Sequence, residues 1–431
     1  MLLSEEIELP CGLRLPNRLC KAAMAENLAP GPDHKPNQKS VTAYGQWADG
    51  GWGMILTGNV QVSDVHLGGP GDVAILSHAS KNPSPETKEA WKTWAATCQR
   101  SGTPTIVQLC HPGRQSPAGI SNRGFFAKAI APSPVKLNFG PSILEKLAAA
   151  LLFGTPHEMT IEEISGEGGI VDQFVEAAKQ SFEAGFKGIE LHGAHGYLLA
   201  QFLSPLTNLR TDEFGGTPAK RAEIVLRVIR AIREATSKEF CIGIKMNSVD
   251  AASSESLDDV MAQIRLVAEC GIDFIEISGG TYENPRMMGG DSTAASLANV
   301  KKSTALRESF FLEFAQTVRK EFPQLVLMVT GGFRTRIGME EALKSGGCDL
   351  IGIGRPATVK PKLPKEIILN TSEVPDERAS VALIPYKAPW LIKKFPLKLV
   401  GTGAANMQWG GQIARMGDGL EPSASLLEVT V

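Results

Sequence analysis

The sequence has no paired cysteines in the usual sense. Its seven cysteines, Cys11, Cys20, Cys98, Cys110, Cys241, Cys270 and Cys348, are scattered and odd in number, and no two form a Cys-x-x-Cys pair. That excludes a disulfide framework and a Cys-rich zinc or iron–sulfur site, and it fits a reducing compartment such as the cytoplasm. An excess of one charge is also missing: 44 Lys and Arg against 46 Asp and Glu give a net charge of −2. A near-neutral chain is a poor binder of phosphate backbones, so nucleic acid is not an expected partner. The longest apolar run, 147–153, falls far short of the about 20 residues that span a bilayer, so no membrane partner is expected either. The N-terminus, Met1 to Pro10, carries acids where a secretory signal needs a basic segment, and it reads as mature protein. No G-x-G-x-x-G opens a helix and no G-x-x-x-x-G-K-[ST] occurs, which removes the fingerprints of dinucleotide-binding and P-loop folds.

What is present is an ordinary globular composition, 43% hydrophobic and 21% charged, in a chain of 431 residues. That length is about three times a typical domain of ~150 residues, so it holds several small domains or one large barrel. With 44 Gly and 27 Pro, many turns must separate many short elements. Short apolar, β-rich runs recur at 18–23, 54–60, 105–109, 188–192, 241–246, 273–278, 325–330 and 350–354. Most are continuous rather than alternating, as in parallel strands buried on both faces. Helical stripes fall between them: Ile170, Phe174, Ala178 and Phe182 recur every fourth residue, and Ile224, Val225, Val228, Ile229 and Ile232 share one helical face. Eight strands alternating with helices give a single eight-stranded (β/α)8 TIM barrel, with a doubly wound sheet as the competitor. Two stretches break the alternation. One is a long insert after the third strand, about 111–164, which a barrel would lay over its C-terminal face. The other is a tail, 363–431, expected to pack on a barrel spanning 1–362.

Four of the five segments singled out sit at strand ends, and the fifth is a loop. Gly188-Ile-Glu-Leu-His192-Gly-Ala-His195-Gly-Tyr197 places two imidazoles and a phenol within six residues. Two imidazoles can hydrogen-bond one carbonyl oxygen, and a phenol nearby can deliver a proton. Spacing alone leaves polarising donors, metal ligands and structural histidines all open. Gln108, ending the third strand, offers a donor and an acceptor that suit an imide edge, although a lone strand-end Gln is more often a loop anchor. Lys245 ends the fifth strand, where it is costly to bury without negative charge; alternatively it snorkels at the rim. Gly331-Gly332 and Gly352-Ile-Gly354-Arg355 end the seventh and eighth strands, where barrels commonly bind phosphate. Ser204 to Arg221 has the turn chemistry of a fixed loop entering a helix near Pro218.

Taken in order, Gln108–Gln115, His192–Tyr197, Ser204–Arg221 and the two Gly/Arg strand ends resemble the old yellow enzyme family, the FMN-dependent ene-reductases. The resemblance runs from about Leu13 to Pro356, and more weakly into the tail. It implies non-covalent FMN at the C-terminal face of the barrel, NADH or NADPH as reductant, and an activated alkene, usually an α,β-unsaturated carbonyl, as the small-molecule partner. His192 and His195 would hold the carbonyl oxygen and Tyr197 would protonate the α-carbon. Gln108 would bind the pyrimidine edge of the flavin, and Lys245, where the family more often has Arg, would stabilise charge near N1. Gly332, Gly354 and Arg355 would cradle the phosphate, and Asn59 would meet the flavin. Ala25 stands where members often have Thr or Cys near the flavin O4; it cannot donate that bond, which implies a flavin somewhat harder to reduce.

Three other readings differ in what they predict. A metal-dependent lyase using the His pair would be colourless and sensitive to chelators. A flavin-binding protein without turnover would be yellow but would not oxidise NAD(P)H steadily. A flavin enzyme of other chemistry would isomerise or demethylate its alkene. Substrate specificity is expected in the insert and around Tyr282 to Met288. The residues do not distinguish NADH from NADPH or a monomer from a homo-oligomer.

Overall fold

A computed structural model describes residues 1–76, 83–121, 123–140, 142–249, 256–279, 311–384 and 398–423. The Tyr282–Met288 segment lies outside them. Eight parallel strands form the centre: β1 (Leu19–Lys21), β2 (Met54–Gln61), β3 (Thr105–Cys110), β4 (Gly188–Gly193), β5 (Cys241–Asn247), β6 (Phe274–Ser278), β7 (Leu327–Thr330) and β8 (Leu350–Ile353). Each pairs with the next, and β8 pairs with β1, so the sheet closes on itself as a TIM barrel. Closure buries the inner face and the helices cover the outer one, which is why the strands read as apolar runs.

The helices form where the sequence supplies both a stripe and a cap. The helices α1 (Gln38–Ala48), α2 (Pro85–Cys98), α4 (Ile170–Ala184), α6 (Pro218–Ala235), α7 (Leu257–Glu269) and α8 (Arg336–Lys344) are separated from one another by the strands, and a short helix, α5 (Leu198–Leu203), lies between β4 and α6. Asn37 caps α1, Ser84 caps α2 ahead of Pro85, and Thr217 caps α6 ahead of Pro218, each accepting from a backbone N–H of the first turn. The α4 helix stops at Gly185, whose φ of +97° suits a residue without Cβ.

Side chains fill the barrel interior. Near its N-terminal end, Leu9 and Leu15 of an N-terminal hairpin pack with Cys20, Met54, Ile106, Cys241, Phe274, Met328 and Leu350. One glycine is fixed by this packing: a Cβ on Gly243 would stand 2.2 Å from the Phe274 ring. Polar side chains take over toward the C-terminal end, and there the site lies.

The insert after β3 carries one helix, α3 (Ile143–Leu152), capped reciprocally by Ser142 and Glu145. Arg114 holds the insert from below, its Nη1 donating to the carbonyls of Val135 at 3.2 Å and Lys136 at 3.0 Å. Arg210 donates to the Pro132 carbonyl at 3.0 Å, so the 204–221 loop anchors the insert. Asn208 closes that loop onto the carbonyls of Phe202 and Phe214, both at 2.7 Å. After β8 come a short helix, α9 (Arg355–Val359), and the tail helix α10 (Lys398–Gly417). The α10 helix packs on α1, where Gln46 Nε2 reaches the Met416 carbonyl at 3.3 Å.

Candidate active site

A cleft opens at the C-terminal end of the barrel, and the ten residues singled out from the sequence all line it: Ala25, Asn59, Gln108, His192, His195, Tyr197, Lys245, Gly332, Gly354 and Arg355. They come from the ends of β1, β2, β3, β4, β5, β7 and β8, so the barrel gathers in space what the chain spreads over more than three hundred positions.

The turn after β4 is held in an unusual shape. His195 has φ +57° and Gly196 φ +74°, two successive left-handed residues, a costly arrangement for a residue with a side chain. Two glutamines secure it. Gln115 Nε2 donates to the carbonyls of His195 at 3.0 Å and Gly196 at 2.7 Å, and Gln201 Nε2 donates to the Gly196 carbonyl at 2.7 Å. The Asn247 side chain accepts from the His195 N–H at 3.1 Å. The turn brings the His192 and His195 rings to 5.0 Å and the His192 and Tyr197 rings to 4.6 Å. Asn59 Nδ2 reaches the Tyr197 hydroxyl at 3.4 Å.

Both imidazoles are neutral. Burial, and then the positive charge of Lys245, hold each well below its ordinary value. The Ala194 N–H donates to His192 Nδ1 at 3.3 Å, which leaves the His192 proton on Nε2. His195 Nε2 pairs with the Ser278 hydroxyl at 3.2 Å. Among the described residues, no His, Cys, Asp or Glu joins the two histidines to complete a three-ligand metal set.

The floor of the cleft is charged, buried and paired. Lys245 Nζ donates to Glu276 Oε1 at 2.9 Å, with both side chains almost fully out of solvent. Gln108 Nε2 donates to Glu190 Oε2 at 2.6 Å. Gln108 Oε1 and Thr330 Oγ1 are buried without a partner, so each can accept from a bound group. Gly332 has φ +82°, a turn only glycine makes freely, and Gly354 stands at the N-cap of α9, next to its first residue Arg355. An acceptor at Gln108, a cation at Lys245 and glycine-lined loops beside Arg355 fit an isoalloxazine ring with a phosphate tail.

The comparisons agree. The model of the NADH:flavin oxidoreductase / NADH oxidase family matches residues 9–372. The chain belongs to this family, the family of the old yellow enzymes. Its cofactor is FMN and its reductant a nicotinamide nucleotide. The chain is 46% identical over 400 residues to the NADH-dependent flavin oxidoreductase iliE of Neonectria sp. (strain DH2), covering 91% of this chain but about half, 51%, of that relative. It is 43% identical over 414 residues to the NADH-dependent flavin oxidoreductase iccE of Talaromyces variabilis, covering 95% and 97% of the two chains. The old yellow enzyme homologue from Zymomonas mobilis shares the fold, with a TM-score of 0.67 at 22% identity over 92% of this chain and all of that one.

Arg334, which closes the Gly331-Gly332 strand end read from the sequence, lines the cleft too, whereas Ser278, Phe311 and Trp409 escaped the sequence reading. Ser278 lies at the end of β6, where strand-end position is a usable signal. Trp409, carried by the tail helix, had none, because its place depends on how α10 docks. Glu190 and Glu276 also escaped, although a carboxylate inside an apolar strand is itself a signal.

Proposed function

We propose that this family member is an ene-reductase acting on α,β-unsaturated carbonyl compounds, with the barrel of 1–362 as its catalytic unit and the 363–431 tail as a cover. The observation that carries the reading is the triad of neutral His192, neutral His195 and Tyr197 around one point above the cleft floor. When bound, FMN supplies to the β-carbon a hydride drawn from the nicotinamide.

The chain's own groups do the rest. His192 Nε2–H donates to the carbonyl oxygen and His195 flanks it, drawing electrons from the alkene as enolate charge develops. Neutral donors suit this task, because they stabilise charge without transferring a proton to the oxygen. Tyr197, steadied by Asn59 at 3.4 Å, gives its proton to the α-carbon. Lys245 would hold the ring from the cleft floor, placing a positive charge beside it. The burial of the cleft keeps water from competing for either transfer.

Tyr197→Phe tests this. Single-turnover kinetics should show reoxidation by 2-cyclohexenone slowed by about 10²- to 10⁴-fold, the span of one general acid, with reduction by NADH nearly unchanged. Equal loss in both half-reactions contradicts the proton-donor role.

A further inference from the structure

Beneath the cleft, four buried side chains from four strands form a continuous line: Gln108 on β3, Glu190 on β4, Glu276 on β6 and Lys245 on β5. The two ends, Gln108 and Lys245, line the cleft, while the two carboxyls lie under it. The hydrogen bonds converge from the two ends on the carboxyls. Lys245 donates to Glu276 Oε1 at 2.9 Å, and Gln108 Nε2 donates to Glu190 Oε2 at 2.6 Å. Between them the two carboxyls meet, with Glu190 Oε1 and Glu276 Oε2 having no other donor. Two fully buried carboxylates cannot face each other as anions, so one proton lies between them. The Lys245 ammonium sits on Glu276. Burial, and then the adjacent Glu276, push the Glu190 carboxyl well up, which makes Glu190 the acid.

We propose that Glu190 is a positioning residue that sets which end of the Gln108 amide faces the flavin. Its O–H is taken by Glu276, so its other oxygen can only accept, and the Gln108 atom that meets it must be the N–H₂ group. Gln108 Oε1 is then turned away from the carboxyl, buried and without a partner, as the acceptor offered to the cofactor. With no group at position 190 to claim the amide N–H₂, the side chain can flip and present a donor to a donor. This rests on the reading that Gln108 meets the ring edge of FMN.

The test uses apoprotein titrated with FMN and the midpoint potential of the reconstituted protein. Glu190→Gln reproduces a protonated acid, donating to Glu276 and accepting from Gln108, and should match wild type in both. Glu190→Leu should weaken FMN binding by about tenfold or more and shift the potential. In a Gln108→Ala background, Glu190→Leu should have no further effect on FMN binding. Should the Leu variant fail to fold, Glu190→Asp withdraws the carboxyl by one methylene and should weaken FMN in the same Gln108-dependent way. The proposal is overturned if Glu190→Gln is as damaging as Glu190→Leu, or if the loss persists undiminished in the Gln108→Ala background. A Gln108→Ala protein that binds FMN normally, with an unchanged potential, overturns instead the underlying placement of Gln108.

Discussion

Lys245→Met leaves Glu276 without its cation. The Glu276 carboxyl is fully buried, its Oε1 receives the Lys245 ammonium at 2.9 Å, and its other oxygen faces Glu190. Taking away the ammonium leaves two carboxyls and one proton in a space that water does not enter. Removing one partner of a buried pair costs on the order of 3–5 kcal/mol, because the survivor is a desolvated charge. Replacing both partners by apolar groups of similar size is near neutral. Urea unfolding of the apoprotein, followed by tryptophan fluorescence, should therefore show a loss of about 3–5 kcal/mol for Lys245→Met, and Lys245→Met/Glu276→Leu should recover most of it. A single variant that loses less than about 1 kcal/mol, the worth of an exposed pair, would mean the pair is solvated and the floor of the cleft wet. A double variant as unstable as the single one would refute the compensation argument.

Two further outcomes follow from the buried titrating groups. Burial and Lys245 hold His192 and His195 neutral across the ordinary pH range, so binding of a phenol-type ligand should show no step near pH 6.5; a step that Ser278→Ala moves or His192→Asn removes would show a protonated imidazole instead. Burial raises Asp72 from 3.8 to about 6, against the donors Gln61, Gly68 and Gly69 that favour its anion. The folded state therefore holds a proton the unfolded chain gives up, and stability falls as pH rises from about 4 to 6, by up to (6 − 3.8) × 1.36, about 3 kcal/mol. Asp72→Asn should gain on wild type by that order between pH 4 and pH 7 in urea midpoints, and a pH-independent difference would contradict it.

The barrel was legible because burial on both faces writes itself into each strand as a continuous apolar run. Seven of the eight runs overlap their strands over most of their length; β1, only three residues long, is the exception, its run at 18–23 extending past Leu19–Lys21 on both sides. The His192–Tyr197 cluster was legible because a polar group at the end of an apolar strand has few structural reasons to be there. The shape that makes it work was not. The left-handed pair His195–Gly196 is held by Gln115, some eighty residues away, and by the nearby Gln201, and both look ordinary in the sequence. Gln108, read alone, suggests a loop anchor; its partner Glu190 shows up only when β3 and β4 are placed side by side, in register. The 204–221 loop could be recognised as fixed, but its task, anchoring the insert through Arg210, needed the fold. Trp409 was not legible, because nothing in a tail 55 residues beyond Gly354 says that it returns to the cleft.

The most direct test of the central claim is an anaerobic absorbance titration of the purified, FMN-loaded protein. The flavin band should bleach on NADH and return on addition of 2-cyclohexenone. A band that bleaches and stays bleached until oxygen is admitted would contradict the ene-reductase assignment, and a chain that fails to retain FMN at all would contradict the placement of the cofactor in this cleft.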